Sequence, residues 1–159
     1  MLDIRIICVG RLKEKYWEAA VAEYMKRLGA YCNVSVIEVK EEKLPANASA
    51  ADERMVTEAE GRALLSKVNK GDHVIALDIR GRELSSEELA DRIRETAFTD
   101  PVIDFIIGGS LGLSDEVKQR ADLRMSFGRI TLPHQLARVV LAEQIYRAFK
   151  INAGEKYHK

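Results

Sequence analysis

Apolar residues along the chain follow two spacings, one typical of buried strands and the other of amphipathic helices. Alternating or continuous apolar runs predict strands at 2–9, 33–39, 73–79, the segment "VIDFIIGG" and 123–127. Helical spacing predicts helices at about 13–28, 52–68 and 86–97, a short helix capped by Ser114, and a long helix after Pro133. Ser85 and Glu88 form a capping-box pattern before the third of these. Pro45 and the polar residues around it, 41–51, predict the one long loop.

Strand and helix signals alternate with short connections, without repeats or a second domain. This order predicts a single α/β domain with a mainly parallel sheet sandwiched by helices. Ligands of such sheets bind beyond the carboxyl ends of the strands. That rule selects three places: after Leu77-Asp78, at Gly108–Gly112, and at Phe127–His134.

The segment "IIGGSLGLSDEV" reads as a buried strand, a glycine loop and a capped helix. Paired glycines let a ligand approach bare backbone, although a tight turn would use them equally well. Gly108-Gly109-Ser110-Leu111-Gly112 also matches the G-x-S-x-G pattern of a nucleophile elbow, with Asp122 and then His134 or His158 following in order. A hydrolase is therefore one alternative, weakened by the short chain and the absence of an oxyanion segment. A nucleotide-binding regulator without catalysis is another.

Arg138 lies inside the apolar stripe of the last helix, between Ile145 and Phe149 on a helical wheel. A buried guanidinium needs a carboxylate, an anionic ligand or a partner surface. A snorkelling arginine is the alternative. The last segment, 124–159, carries seven basic and two acidic residues in a chain of zero net charge. This asymmetry favours an anionic partner for the C-terminal end.

Several classes of protein are disfavoured by composition. Apolar runs are too short for a membrane span, and the N-terminus reads as a strand rather than a signal peptide. Cys8 and Cys32 lack metal or redox spacing, so we expect reduced, buried thiols in a cytoplasmic protein. No set of His, Cys, Asp and Glu has metal-ligand spacing, and we expect no metal.

Four segments together resemble the RlmH-type ribosomal RNA methyltransferases of the SPOUT superfamily. They are "VGRLKEKYW", "IGGSLGL", "SFGRITLPHQLARVVLAEQIYRAFKI" and the terminal "YHK". The resemblance covers essentially the whole chain. It implies an S-adenosylmethionine-dependent enzyme that methylates N3 of a pseudouridine in helix 69 of 23S rRNA, on the assembled ribosome. It further implies a C-terminal trefoil knot, which is an exception among folds, and a homodimer with its site at the subunit interface.

The resemblance also implies roles for particular residues. The cofactor pocket would use Leu77, Gly108 and Phe127-Gly128-Arg129-Ile130-Thr131-Leu132, which are in the three places that the crevice rule selects. Tyr157 and His158 would close over the target base, with His158 as candidate proton acceptor. Arg138 would lie near the shared site, facing RNA or the partner subunit. A free, solvated tail is the alternative for residues 152–159.

Overall fold

Five strands and five helices alternate along the chain in the computed structural model, which describes residues 1–159. The strands are β1 (Asp3–Val9), β2 (Asn33–Val39), β3 (His73–Glu83), β4 (Val102–Ile107) and β5 (Leu123–Ser126). The helices are α1 (Lys15–Leu28), α2 (Ala50–Leu65), α3 (Ser86–Thr96), α4 (Asp115–Arg120) and α5 (His134–Asn152). Every predicted element is present, and the predicted α/β class is confirmed.

The strands form one sheet in the order β2-β1-β4-β3-β5, and every neighbouring pair is parallel. Their carboxyl ends therefore share one edge. β3 runs four residues further than predicted, and its pairing with β5 shifts register between Leu77 and Arg82. Such an irregularity bends a strand. Here it lies at the sheet edge where the predicted ligand crevice should be.

The central strands bury both faces, which explains why they are apolar without a strict alternation. On β1, Ile4, Ile6 and Cys8 join the larger core cluster, which includes residues of α1, α3 and α5. Ile7 and Val9 face the smaller cluster, which includes residues of α2 and α4. Both cysteines are buried free thiols as predicted, and burial raises their pKa to about 11.

Two helices begin at a capping box, a reciprocal pair of bonds between the N-cap residue and the third helical residue. The predicted Ser85–Glu88 box is present at α3. A second box, Ser49 with Asp52, starts α2 at Ala50, two residues before the predicted start. The Ser-x-x-Asp spacing was readable in the sequence, but the polar stretch that contains it reads as loop.

Arg5, Asp72 and Asp104 form an ion cluster beneath the amino end of the sheet, opposite the crevice. Arg5 donates from Nε and Nη2 to the two carboxylate oxygens of Asp104, each at 2.7 Å, and Nη2 also donates to Asp72. Arg5 and Asp104 are direct neighbours across β1 and β4, so strand register sets the pairing. Asp104 is fully buried, and that burial raises its pKa from the usual 3.8 to about 6.

This raised pKa predicts a specific pH dependence of stability. Between about pH 4 and pH 6 the folded state holds a proton on Asp104 that the unfolded state has lost, so this group's contribution to the free energy of unfolding falls as pH rises through that window. Relative to Asp104→Asn, the wild-type protein should lose roughly 2 to 3 kcal/mol of that free energy from pH 4 to pH 7. Denaturant titrations of both proteins across this range measure it. A difference that does not change with pH would contradict the assignment.

Candidate functional site

Three loops at the carboxyl edge of the sheet enclose a cavity of about 160 Å³. They are the three places that the crevice rule selects. Seven of the eight predicted pocket residues line it: Leu77, Gly108, Phe127, Gly128, Ile130, Thr131 and Leu132. Arg129 is not among the lining residues and is exposed. A wider cleft of about 740 Å³ continues from the cavity past Ser110, Lys118 and His134.

The glycine loop between β4 and α4 brings backbone, without side chains, to the pocket wall. A Cβ on Gly108 would lie 2.8 Å from the Gly112 carbonyl oxygen, and Gly112 has φ +85°. The Gly112 N–H donates to the Gly109 carbonyl at 3.0 Å, which closes a tight turn. Ser114 then caps α4, accepting from the Val117 N–H as predicted. Glycine is therefore required at Gly108 for lack of space and favoured at Gly112 by its positive φ, and the backbone of the loop stays open to a ligand.

The segment between β5 and α5 forms the opposite wall. Ser126 holds it, because its hydroxyl oxygen lies 3.0 Å from the Gly128 N–H and 3.0 Å from the Ile79 carbonyl oxygen. Gly128 has φ +117°, a conformation that side-chain-bearing residues rarely adopt. Ile130 is 81% exposed beside the cavity. Ser126 and Ile79 were not predicted as pocket residues, although both lie in predicted strands that end at this edge of the sheet.

The pocket's chemistry suits an adenosine-bearing ligand with a positively charged sulfur. Its walls are mostly apolar side chains and glycine backbone, with Ser126, Thr131 and His134 as neutral polar groups and Asp78 as the one carboxylate. Asp78 is already engaged by the Arg80 N–H at 3.0 Å and by Arg124 at 3.4 Å. Aliphatic walls can hold an adenine ring while backbone groups bond its edge. The residues present thus fit S-adenosylmethionine on polarity, and a ligand of its length would extend from the cavity into the wider cleft.

The hydrolase alternative is not supported by the structure. Ser110 is exposed at the carboxyl edge, whereas Asp122 lies at the amino end of β3, where it accepts from the Val74 N–H at 2.8 Å. His134 shares the wider cleft with Ser110 but makes no hydrogen bond to it. A nucleophile, base and orienting acid must be joined by hydrogen bonds. These three residues are not.

Arg138 is buried near the start of α5 and does not line the pocket. Its side chain is 1% exposed and donates to Glu38 Oε2 at 2.6 Å and to the Gly10 carbonyl at 3.2 Å. Of the partners that the sequence allowed, the structure provides a carboxylate. Arg138 also lines a groove of about 1090 Å³ together with Gly10 and Glu38. Its expected place facing RNA or the partner subunit stays a prediction. Arg138 instead ties the start of α5 to the ends of β1 and β2.

Removing this cation should cost stability. In Arg138→Met the Glu38 carboxylate and the Gly10 carbonyl lose their donor, and breaking a buried pair costs about 3–5 kcal/mol. Because Glu38 is 37% exposed and can regain water, we expect a loss of about 2 kcal/mol in the free energy of unfolding. Denaturant titration measures it, with Arg54→Met, at an exposed arginine of α2, as the control. A loss equal to the control's would show that the pair does not stabilise the fold.

Tyr157 and His158 do not line the pocket of their own chain. The tail turns back onto α5, and Tyr157 packs edge-on against Tyr146 with ring centroids 4.9 Å apart. Its hydroxyl donates to Glu143 at 3.1 Å; burial, and then Glu143, raise the pKa of Tyr157 to about 12. His158 contacts Glu87 at 2.6 Å and Arg147 at 3.1 Å. The sequence left open the alternative of a solvated tail. In the structure the tail contacts α5 through Tyr157 and α3 through His158.

Two further properties concern the chain as a whole. No helix has the length and apolarity that crossing a bilayer requires. No three side chains among His, Cys, Asp and Glu are grouped so as to hold a metal ion.

A parallel α/β sheet, with a glycine loop and a backbone-lined segment facing one cavity at its carboxyl edge, defines a domain that binds a nucleotide-like ligand. Comparison with known proteins gives the family. The family described as predicted SPOUT methyltransferase matches residues 2–158, and the chain belongs to it.

Several named relatives match this chain over their full length. A protein of Oenococcus oeni named ribosomal RNA large subunit methyltransferase H is 54% identical, with all of both chains covered. Proteins of the same name from Clostridium novyi and Lactiplantibacillus plantarum are each 52% identical over 99% of this chain and all of theirs. The solved structure of a probable methylase family protein from Haemophilus influenzae shares the fold, with a TM-score of 0.55 at 16% identity, covering 98% of this chain and 70% of that one.

Proposed function

We propose that this protein methylates ribosomal RNA of the large subunit, with S-adenosylmethionine as methyl donor. The pocket at the carboxyl edge, lined by seven of the residues that the family resemblance implies, carries the proposal. Full-length relatives named for this activity support it. We further propose that the target is N3 of a pseudouridine in helix 69 of 23S rRNA, reached in the assembled ribosome in the cytoplasm.

The cofactor would be held between the two walls of the pocket. Leu77 and Gly108 would contact it from the β3 and β4 ends, and residues 127–132 would surround it with backbone groups. Arg129, exposed beside this segment, would contact RNA or the rim of the site instead. When bound, S-adenosylmethionine supplies an electrophilic methyl group. The protein's contribution is then alignment and exclusion of water rather than a covalent nucleophile.

The active form would be a homodimer. Tyr157 and His158 lie outside the pocket of their own chain. At the rim of that pocket three apolar side chains are exposed: Ile79 by 50%, Phe127 by 38% and Ile130 by 81%. Apolar side chains gathered at a site mouth favour burial against another surface. A second subunit would cover them and bring its tail to the pocket. The 127–133 segment would be the threaded part of the trefoil knot.

His158 would accept the proton that leaves N3, and Tyr157, protonated and therefore a donor, would bond or stack on the base. Arg138 would act from inside the protein, by holding the start of α5 against the β1 loop. The basic C-terminal segment would contact phosphates, so RNA binding should weaken as salt concentration rises.

Transfer of labelled methyl from S-adenosylmethionine to ribosomes that lack the modification tests this function. Parallel substrates are intact ribosomes, isolated large subunits and free 23S rRNA. We expect label in RNA of intact ribosomes only. Cofactor binding without label in any substrate would favour the non-catalytic regulator, and labelling of Ser110 by a fluorophosphonate would revive the hydrolase.

A further inference from the structure

The contacts of His158 define its tautomer. Arg147 Nη1 lies 3.1 Å from His158 Nδ1, and a guanidinium can only donate. Nδ1 therefore carries the lone pair, and the proton of the neutral ring is on Nε2. Glu87 Oε1 lies 2.6 Å from Nε2, and a carboxylate can only accept. Both neighbours require the same tautomer.

Each neighbour is itself held in place. Arg147 donates to Glu143 Oε1 from Nε at 2.9 Å and from Nη2 at 2.5 Å, and its guanidinium lies 4.8 Å from the centre of the Tyr157 ring. Glu87 is in the first turn of α3, where its own backbone N–H and then His158 keep the pKa of its carboxyl below the usual range. Glu87 is thus an ionised carboxylate that can accept a hydrogen bond from His158, and the helix that carries it begins at the Ser85 cap.

We infer that Glu87 is a positioning residue for methyl transfer, which orients the His158 ring by accepting the Nε2 proton and so makes Nδ1 the atom that takes the proton from the target base. The inference rests on the proposed function. It adds a carboxylate–histidine pair in which the carboxylate does not touch substrate. Such a pair fixes the tautomer and stabilises the imidazolium that forms.

The imide proton on N3 of the target would move to Nδ1, and the ring would become an imidazolium. The methyl group on N3 would come from the sulfonium of S-adenosylmethionine, whose S–C bond breaks as the N–C bond forms, and S-adenosylhomocysteine would leave as the neutral thioether. Glu87 keeps its charge throughout and faces the new cation through Nε2. Before this, the target N3–H must replace the Arg147 N–H at Nδ1. Because Glu143 holds the planar guanidinium through Nε and Nη2, Nη1 stays in place, and the His158 ring must turn away from it while Nε2 keeps its bond to Glu87.

Nuclear magnetic resonance of ¹⁵N-labelled histidine tests the tautomer without reference to activity. His158 is assigned among the three histidines by comparison with His158→Ala. Above pH 8 the wild-type ring should be mainly protonated on Nε2. In an Arg147→Met background, where Glu87 is the only one of the two neighbours left to select the tautomer, Glu87→Gln should keep that preference, because its amide oxygen still accepts. In the same background Glu87→Ala should shift His158 toward a mixture, and an unchanged tautomer there would overturn the inference.

Kinetics then separate positioning from folding. We expect Glu87→Ala to lower kcat about tenfold or more, Glu87→Gln to fall between it and wild type, and cofactor affinity to stay unchanged in both. In the His158→Ala background, Glu87→Ala should have no further effect. Glu95→Ala, at an exposed glutamate of the same helix, is the matched control. An equal loss in both backgrounds would assign Glu87 a structural role and overturn the inference, whereas a wild-type protein without methyl transfer would refute the proposed function itself.

Discussion

Replacing His158 with alanine should lower the turnover of methyl transfer about a hundredfold or more, and leave the affinity for S-adenosylmethionine unchanged. General bases typically contribute a factor of about 10² to 10⁴ to rate. An imidazole is the side chain best suited to exchange protons near neutral pH. The affinity should not change, because His158 lies outside the cavity that would hold the cofactor.

Single-turnover rates with saturating ribosomes, together with cofactor titration by calorimetry, separate the two quantities. Ala153→Ser, at an exposed and uncharged residue of the tail, is the control for disturbance of the tail. Equal losses in rate and in affinity would mean that His158 supports the pocket. No loss in either would remove it from the reaction and would assign the proton to a water or a phosphate.

Gly108→Val should abolish measurable cofactor binding, with affinity reduced at least about a hundredfold. A Cβ at this position would lie 2.8 Å from the Gly112 carbonyl oxygen and 3.0 Å from the Leu113 side chain, so the glycine loop would have to move. Valine adds two methyl groups beyond that atom, on the wall of a cavity of about 160 Å³. Overpacking of this kind costs about 1–3 kcal/mol even where a core can adjust.

Calorimetric titration with S-adenosylmethionine measures this loss. Gly71→Val is the matched control, because a Cβ on Gly71 would meet no atom within 4 Å. Circular dichroism and thermal unfolding of both variants show whether the fold is retained. If folded Gly108→Val binds the cofactor within twofold of the wild-type protein, the cofactor does not occupy this pocket.

Much of the fold is predictable from the sequence because the signals are local. Apolar spacing, capping residues and short connections predict each element, and a parallel sheet places its ligand edge at the carboxyl ends. Leu77, Gly108 and residues 127–132 could therefore be expected to meet. The extension of β3 past residue 79 was missed, because its continuation is exposed and pairs irregularly with β5.

Contacts between distant parts of the chain could not be predicted in the same way. The wheel position of Arg138 requires some anionic or polar partner, but Glu38 is 100 residues away and is brought there by sheet order. The tail is a second case. A short polar segment reads as solvated, yet Tyr157 packs on Tyr146 and His158 lies between Glu87 and Arg147. These partners are on α3 and α5, whose packing follows only from the complete fold.

The most direct measurement is identification of the modified nucleotide. Ribosomes lacking the modification are incubated with the protein and S-adenosylmethionine, and their 23S rRNA is digested and analysed by mass spectrometry. The proposal predicts one methyl group on the base of a helix 69 pseudouridine, at N3, which is absent when the cofactor is omitted and strongly reduced with His158→Ala. A methyl group at another nucleotide, or on a ribose, would contradict the proposed target, and unmodified RNA with a cofactor-bound protein would contradict the activity itself.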